Sequence, residues 1–305
     1  MNSREQDVVL VTGASSGLGL AMARQLLQLD YRLVLTARER ALPRFAEAGI
    51  EDSERVRLRA LDVTRIEQRR AVVDEAQADW GGVDVLINNA GVAYRSVVEH
   101  VTEDERFAQL DVNFMSPMAL ARIVLPAMRA KRRGRIINVS SVGGMMAMPT
   151  MSAYSASKFA LEGASEALWY EVRPWNIRVT LVEPGFISSD SFANTRYTQA
   201  SLASSSDVRD PYHEHYVNMA PFIAKVMRLT VATPESVART VIRTIRSRHP
   251  PLRVPATIDA HLFALLRRML PRGLYHRVLY AALPGIRTWG ERKTLAESSD
   301  SDDGR

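Results

Sequence analysis

The chain has 305 residues, 46% hydrophobic and 24% charged, a balance that fits one globular unit of the larger single-core kind and excludes global disorder, a collagen and a coiled coil. It contains no cysteine, which excludes a disulfide framework, a thiolate zinc site and a thiol nucleophile, and is compatible with a reducing compartment. The formal net charge of +6 rests on 36 arginines and only four lysines, Lys131, Lys158, Lys225 and Lys293, so a lysine at a meaningful position carries information.

The first residues, MNSREQDVVLVTG, run from a charged stretch straight into a strand-like one, with no apolar core and no cleavage-like site. No signal peptide and no spanning helix are expected, and the cytoplasm is the expected location. From there short β-branched runs alternate with longer helical ones. Residues 8–12, 33–36, 56–58 and 83–87 read as strands, and 18–29 and 65–78 as helices. Such alternation predicts βαβ units and a parallel sheet covered on both faces. The pattern continues with a long helix over 103–130, a strand over 135–139, a second long helix over 152–172 and a strand over 177–182 that Glu183-Pro184-Gly185 stops. That makes six strands, and residues 253–255 are a candidate seventh. Residues 188–215 form one long polar insertion after a strand end, read as the loop of a lid reaching to about 232. Thr233-Pro234-Glu235 then starts a helix, with a hydroxyl N-cap, a first-turn proline and an early carboxylate. Residues 251–289 read as a helical C-terminal extension, and 290–305 as a charged, disordered tail.

Between the first strand and the first helix stands Thr12-Gly13-Ala14-Ser15-Ser16-Gly17-Leu18-Gly19. Its glycines permit a tight turn and close approach of a pyrophosphate to backbone N–H groups at a helix N-terminus. This predicts a doubly wound α/β domain of the Rossmann type over residues 1–250, with Gly13, Ser15, Ser16, Gly17, Leu18 and Gly19 at a dinucleotide. At the end of the second strand, where an acidic residue would bond a ribose diol, the chain reads Leu35-Thr36-Ala37-Arg38. A guanidinium there suits a 2′-phosphate, so NADP(H) is favoured, with NAD(H) as the alternative. Asp62 and Val63, after the third strand, are placed for the adenine edge.

Asn89-Ala90-Gly91 follows the fourth strand, Asn113 lies in the next helix, Ser140-Ser141 ends the fifth strand, and Tyr154-Ser155-Ala156-Ser157-Lys158 opens the second long helix. Tyr154 and Lys158, four apart, share a helix face. With the glycine turn, these motifs resemble the short-chain dehydrogenase/reductase family in order and spacing over about residues 7–250, including Ser141 thirteen residues before Tyr154. The resemblance implies that Tyr154 is the general acid or base, that Ser141 holds the substrate oxygen, and that Lys158 bonds the nicotinamide ribose. Asn113 would support a water-mediated proton path, and Asn89, Ala90, Gly91, Pro184, Gly185, Ile187 and Ser189 would contact cofactor. The chemistry agrees. A phenol with a reference pKa of about 10 is a poor base at neutral pH. Lowering it by about 3 units takes roughly 4 kcal/mol of differential interaction, which Lys158 and an oxidised nicotinamide are expected to supply.

The motif detail is most similar to the hydroxysteroid and retinol dehydrogenase branch. Met145, Met146, Met148 and Met151 lie between Ser141 and Tyr154, and flexible thioethers suit an adaptable apolar pocket. Met148 and Phe186 are read as substrate contacts, with Phe192, Tyr197 and residues 221–229 closing over them. These features predict a lipophilic alcohol or carbonyl, steroid-, retinoid- or lipid-like. The alternative is a fatty-acyl or sphingoid-type ketone, and an NADP-binding scaffold without turnover is a reading of another class. The segment 258–284 mixes Leu, Phe, Met and Tyr with Arg267, Arg268, Arg272 and Arg277, and is read either as a cover on the core or a second subunit, or as a peripheral membrane contact. A homodimer or homotetramer is expected by resemblance. The basic run Arg129-Ala130-Lys131-Arg132-Arg133-Gly134-Arg135 lacks interleaved aromatics and is read as a solvated connection, not a nucleic-acid surface. His213-Glu214-His215 is too local to predict a metal.

Overall fold

The computed structural model describes residues 6–188 and 195–290. Seven strands form one sheet: β1 (Val8–Val11), β2 (Arg32–Ala37), β3 (Val56–Ala60), β4 (Val85–Asn88), β6 (Gly134–Val139), β7 (Ile177–Glu183) and β9 (Arg253–Pro255). Their order is β3-β2-β1-β4-β6-β7-β9, and every pairing is parallel. The expected seventh strand is therefore present, as is the expected α/β architecture.

Along β1, Val9 and Val11 enter one core while Val8 and Leu10 enter the other, because successive side chains leave opposite faces of a strand. On the first face lie α1 (Gly17–Leu27), α2 (Pro43–Glu47) and α9 (Pro234–Arg246); on the second lie α3 (Ile66–Trp80), α5 (Ser116–Lys131) and α6 (Ser152–Val172). The chain runs outward from β1 to the β3 edge, then returns to lay β4 on the other side of β1. This reversal opens a crevice at the carboxyl ends of β1 and β4, the usual binding place in an open parallel sheet.

The long helix expected over 103–130 is instead α4 (Glu103–Leu110), a π turn (Asp111–Met115) and α5. Pro117 is the reason visible in the sequence. It has no N–H to give the carbonyl four residues earlier, and that residue is Asn113. The proline therefore sits where a regular α-helix would have tied down the Asn113 carbonyl.

Residues 188–215 were expected to be loop, yet the described part holds a strand, β8 (Arg196–Tyr197), and α7 (Gln199–Ser206), followed by α8 (His213–Leu229). The hydroxyl of Thr198 accepts from Ser201 N–H to cap α7, and Tyr216, Met219 and Ile223 bury one face of α8. The serine-rich composition concealed both signals. β8 pairs in parallel with β5 (Tyr94–Arg95), which ties this region to the connection after β4. As expected, Thr233 caps α9, with a reciprocal bond from Ser236. The C-terminal stretch forms α10 (Ile258–Met269) and α11 (Arg272–Ala281), whose inner sides pack Ala260 and Tyr275 against Val142, Met145 and Met146.

A buried amide chain fixes α6 to the sheet: Asn88 Nδ2 donates to Asn138 Oδ1 (2.8 Å), and Asn138 Nδ2 donates to Ser165 Oγ (2.8 Å). Removing the central member leaves buried polar atoms without partners. Asn138→Ala is expected to lower unfolding free energy by about 2–4 kcal/mol, read as an earlier urea midpoint at unchanged slope.

Candidate active site

Two cavities meet at the carboxyl ends of the strands. The larger, about 1240 Å³, runs between the glycine turn and the start of α9; the smaller, about 250 Å³, lies beside it under α8. Tyr154 and Ser140 line both.

The turn over residues 12–19 is built for close approach. The Thr12 hydroxyl accepts from the N–H groups of Asn89 and Ala90 (2.9 and 3.0 Å), and Asn89 Nδ2 donates to the carbonyls of Thr12 and Gly13. Gly13 has φ +66°, and a Cβ on Gly19 would fall 2.0 Å from the Gly13 carbonyl oxygen. No side chain caps α1 at Ser16, so its first-turn N–H groups are free to face an anion. Ser16, Gly17 and Leu18 line the large cleft together with Arg24, Arg38, Arg40 and Arg44. Burial, then Arg40 and Arg196, holds the Arg38 guanidinium below its ordinary range. A glycine cradle, an uncapped helix start and converging cations fit a phosphate-bearing dinucleotide.

Of the remaining sequence-predicted residues, Asn89, Gly91, Tyr154 and Lys158 line the same cleft, while Ser15 and Gly19 are buried and Gly13 and Ala90 half-buried within the turn. Pro184, Gly185, Phe186, Ile187, Ser141 and Met148 line the smaller pocket. Asp62 and Val63 line neither. The Asp62 carboxylate accepts from Thr64 N–H and hydroxyl (3.0 and 2.7 Å), and Val63 is buried in the core with its carbonyl bonded by Arg69. Ser189 and Phe192 fall outside the described residues. No group of three or more potential metal ligands occurs among the described residues, and His215 instead stacks near Trp289.

Lys158 is buried and donates to the Val139 carbonyl at 2.9 Å. Burial pulls its ammonium down to about 8, against the opposing pull of the Glu162 carboxylate. Its Nζ lies 5.9 Å from the centre of the Tyr154 ring. The expected depression of the Tyr154 phenol is not present in the protein alone. Burial pushes it up, and only the Ser141 hydroxyl bonded to it pulls it down. The phenol is thus held in its neutral form. Ser141 Oγ also accepts from Gly143 N–H at 3.1 Å. Asn113 is buried, its amide exchanging two hydrogen bonds with the Val92 backbone and donating to Ser157 Oγ.

Three features escaped the sequence reading. Arg95 is wholly buried and lines the small pocket among its methionines. Behind Lys158, the Glu162 carboxylate accepts from Ser140 Oγ (2.7 Å) and Arg253 Nε (3.2 Å); Glu183, buried beside it, has its carboxyl pushed up by burial and by the Glu162 charge. A Cβ on Gly144 would come within 2.8 Å of both Glu162 Oε1 and Ser140 Oγ. Finally, α10 clamps the segment after β7: Gly185 N–H donates to Thr257 Oγ1 and Phe186 N–H to Asp259 Oδ2, each at 2.9 Å. Only the i, i+4 spacing of Lys158 and Glu162 was visible beforehand.

The family model for short chain dehydrogenases matches residues 7–200. The chain belongs to the short-chain dehydrogenase/reductase family. It is an NAD(P)-dependent oxidoreductase, in line with the resemblance in its motifs. It is 33% identical over 281 residues to a 3-ketodihydrosphingosine reductase of Bacteroides thetaiotaomicron, covering 91% of this chain and 99% of that one. It is 32% identical over 284 residues to human retinol dehydrogenase 8, covering 89% and 90%. A metagenomic short-chain oxidoreductase crystallised with NADP superposes with a TM-score of 0.61 at 28% identity, covering 82% of this chain and 96% of that one.

The Lys158 ammonium is present below about pH 8 and lost above it. Because the Glu162 anion raises that midpoint, Glu162→Gln is expected to move it to lower pH. An NMR titration of side-chain nitrogens, tractable in a chain of four lysines, reads this directly.

Proposed function

We propose that this family member is an NADPH-dependent reductase of a lipophilic ketone, with Tyr154 as the general acid. The observation that carries the reading is the seam at Tyr154, where an arginine-rimmed dinucleotide cleft meets a pocket lined by Met148, Met151, Phe186, Ile223 and Met227. When bound, the reduced nicotinamide supplies the hydride to the carbonyl carbon. Ser141 holds the carbonyl oxygen, and Tyr154 gives it the phenolic proton as the C–O double bond becomes a single bond. Lys158 compensates the phenolate left behind and holds the ribose hydroxyls, and Asn113 keeps a water path open for reprotonation. Arg38 bonds the 2′-phosphate, the basis for NADPH over NADH, and the NADP-bound relative supports that preference. Gly13, Ser15, Ser16, Gly17, Leu18, Gly19, Asn89, Ala90 and Gly91 make up the rest of the cofactor cradle.

Within this class, a chain ketone of the sphingoid type is favoured by the near-complete alignment with the reductase of that name. A retinoid or steroid substrate is the second reading, supported by the retinol dehydrogenase relative. α8, carrying Ile223 and Met227, covers the pocket as a lid. A homodimer is part of the proposal, since the packed pair α4 and α6 leaves Phe107 and Tyr170 exposed.

Loss of reduced-nicotinamide absorbance should be fastest with NADPH and a long-chain 3-ketone such as 3-ketodihydrosphingosine, compared with retinal and a steroid ketone. Tyr154→Phe should cut turnover by ~10²–10⁴-fold while NADPH still binds; turnover retained in that variant removes the phenol from the mechanism. Arg38→Glu should weaken NADPH binding by roughly tenfold or more and spare NADH, as expected for losing a charge-assisted bond. Calorimetric titration with each cofactor checks this.

A further inference from the structure

We propose that the outward face of α10 and α11 docks on an anionic lipid surface. Ile258, Leu262, Leu265 and Met269 are all more than half exposed, at 76, 52, 55 and 70%. At about 100° per residue they fall within roughly 60° of one another, so they form one continuous stripe along α10. On α11, Leu274 and Val278 repeat the feature one turn apart and are nearly half exposed. An apolar stripe that the chain leaves uncovered along two successive helices needs an occupant.

The charge pattern selects the occupant. From residue 260 to residue 290 the sequence holds Arg267, Arg268, Arg272, Arg277 and Arg287 and no aspartate or glutamate. Asp259, directly before this stretch, is used inward, accepting from Phe186 N–H. By the same helical arithmetic, Arg268 lies about a quarter-turn from the α10 stripe, and Arg277 stands beside the Leu274–Val278 pair. Arg267 turns the other way, its guanidinium 5.3 Å from the Phe159 ring centre. Apolar side chains flanked by cations, on two helices that carry no acidic residue beyond Asp259, match an acyl boundary under acidic headgroups. A second copy of this chain would have to place these arginines against its own equally basic face. Among the described residues no helix is long and apolar enough to cross a membrane, so the contact is peripheral.

The same helix reaches the pocket. The first turn of α10 holds Gly185 and Phe186, which line the small pocket, and its inner side packs on Met145 and Met146. Docking would therefore bring the pocket within one helix layer of the lipid. The inference does not depend on the substrate proposed above, because it is read without turnover.

The experiment is flotation of the full chain with vesicles of phosphatidylcholine alone or mixed with phosphatidylglycerol, with light scattering of the free protein alongside. The chain should float with the anionic vesicles, stay behind with the neutral ones and be released by salt. Arg268→Gln with Arg277→Gln should weaken binding roughly 20- to 30-fold. Leu262→Glu with Met269→Glu should abolish it while NADPH binding, remote from this face, persists and reports a folded protein. No flotation of the wild type, or flotation untouched by the glutamate pair, overturns the proposal. So does an oligomer of the free protein that the glutamate pair dissociates, since the stripe would then be covered by a second copy.

Discussion

Taking the Lys158 ammonium out of water costs several kcal/mol unless neighbours offset the loss, and the surrounding fold is arranged as that offset. The Val139 carbonyl at the end of β6 accepts one of its protons. Glu162, one helical turn on, supplies the opposing charge and is itself held by Ser140 and Arg253. Val139 and Ser140 come from the end of β6, Glu162 from α6 itself and Arg253 from β9, so the charge is satisfied only when β6, α6 and β9 are all docked. Gly144 belongs to the same constraint, because any side chain there would push into the Ser140–Glu162 bond. The arrangement leaves the ammonium poised near neutral pH, where its charge responds to whatever enters the cleft.

Tyr154 stands four residues before that lysine on α6, and its position makes one site of two cavities. On one side lie the backbone donors of the glycine turn and the cationic rim; on the other lie methionines and the buried Arg95. Burial without a cofactor keeps the phenol neutral. A neutral phenol beside an apolar pocket is suited to giving a proton to a carbonyl oxygen. The buried amide chain from Asn88 through Asn138 to Ser165 fixes the helix that carries both groups.

The C-terminal helices belong to this site although they lie outside the segment matched to the family. Thr257 and Asp259 take the N–H groups of Gly185 and Phe186, a contact across more than seventy residues of sequence. Nothing local announces it, since a threonine and an aspartate before an apolar run read simply as a helix start. The basic run over residues 129–135 shows the opposite outcome. Lys131 and Arg133 turn to the buried Asp84 and Arg132 to the Pro174 carbonyl, so part of the excess charge there is used in holding a loop.

The order in which the strands appear, the glycine turn, the motif residues Ser141, Tyr154 and Lys158, and the seventh strand are legible in the sequence. Each of these is written locally: β-branched runs, glycines where a Cβ will not fit, Tyr and Lys one turn apart. Pro117 likewise carried, unread, the reason for the π turn at Asn113. The folded chain settles that Asp62 and Val63 line neither cavity, that the described part of the serine-rich insertion carries a short strand and a helix, and that Arg95 lies in the smaller pocket. It alone decided the charge state of the site. Desolvation and the approach of Glu162, Glu183 and Arg253 depend on three-dimensional distance, and no spacing along the chain encodes the water that a folded neighbour removes.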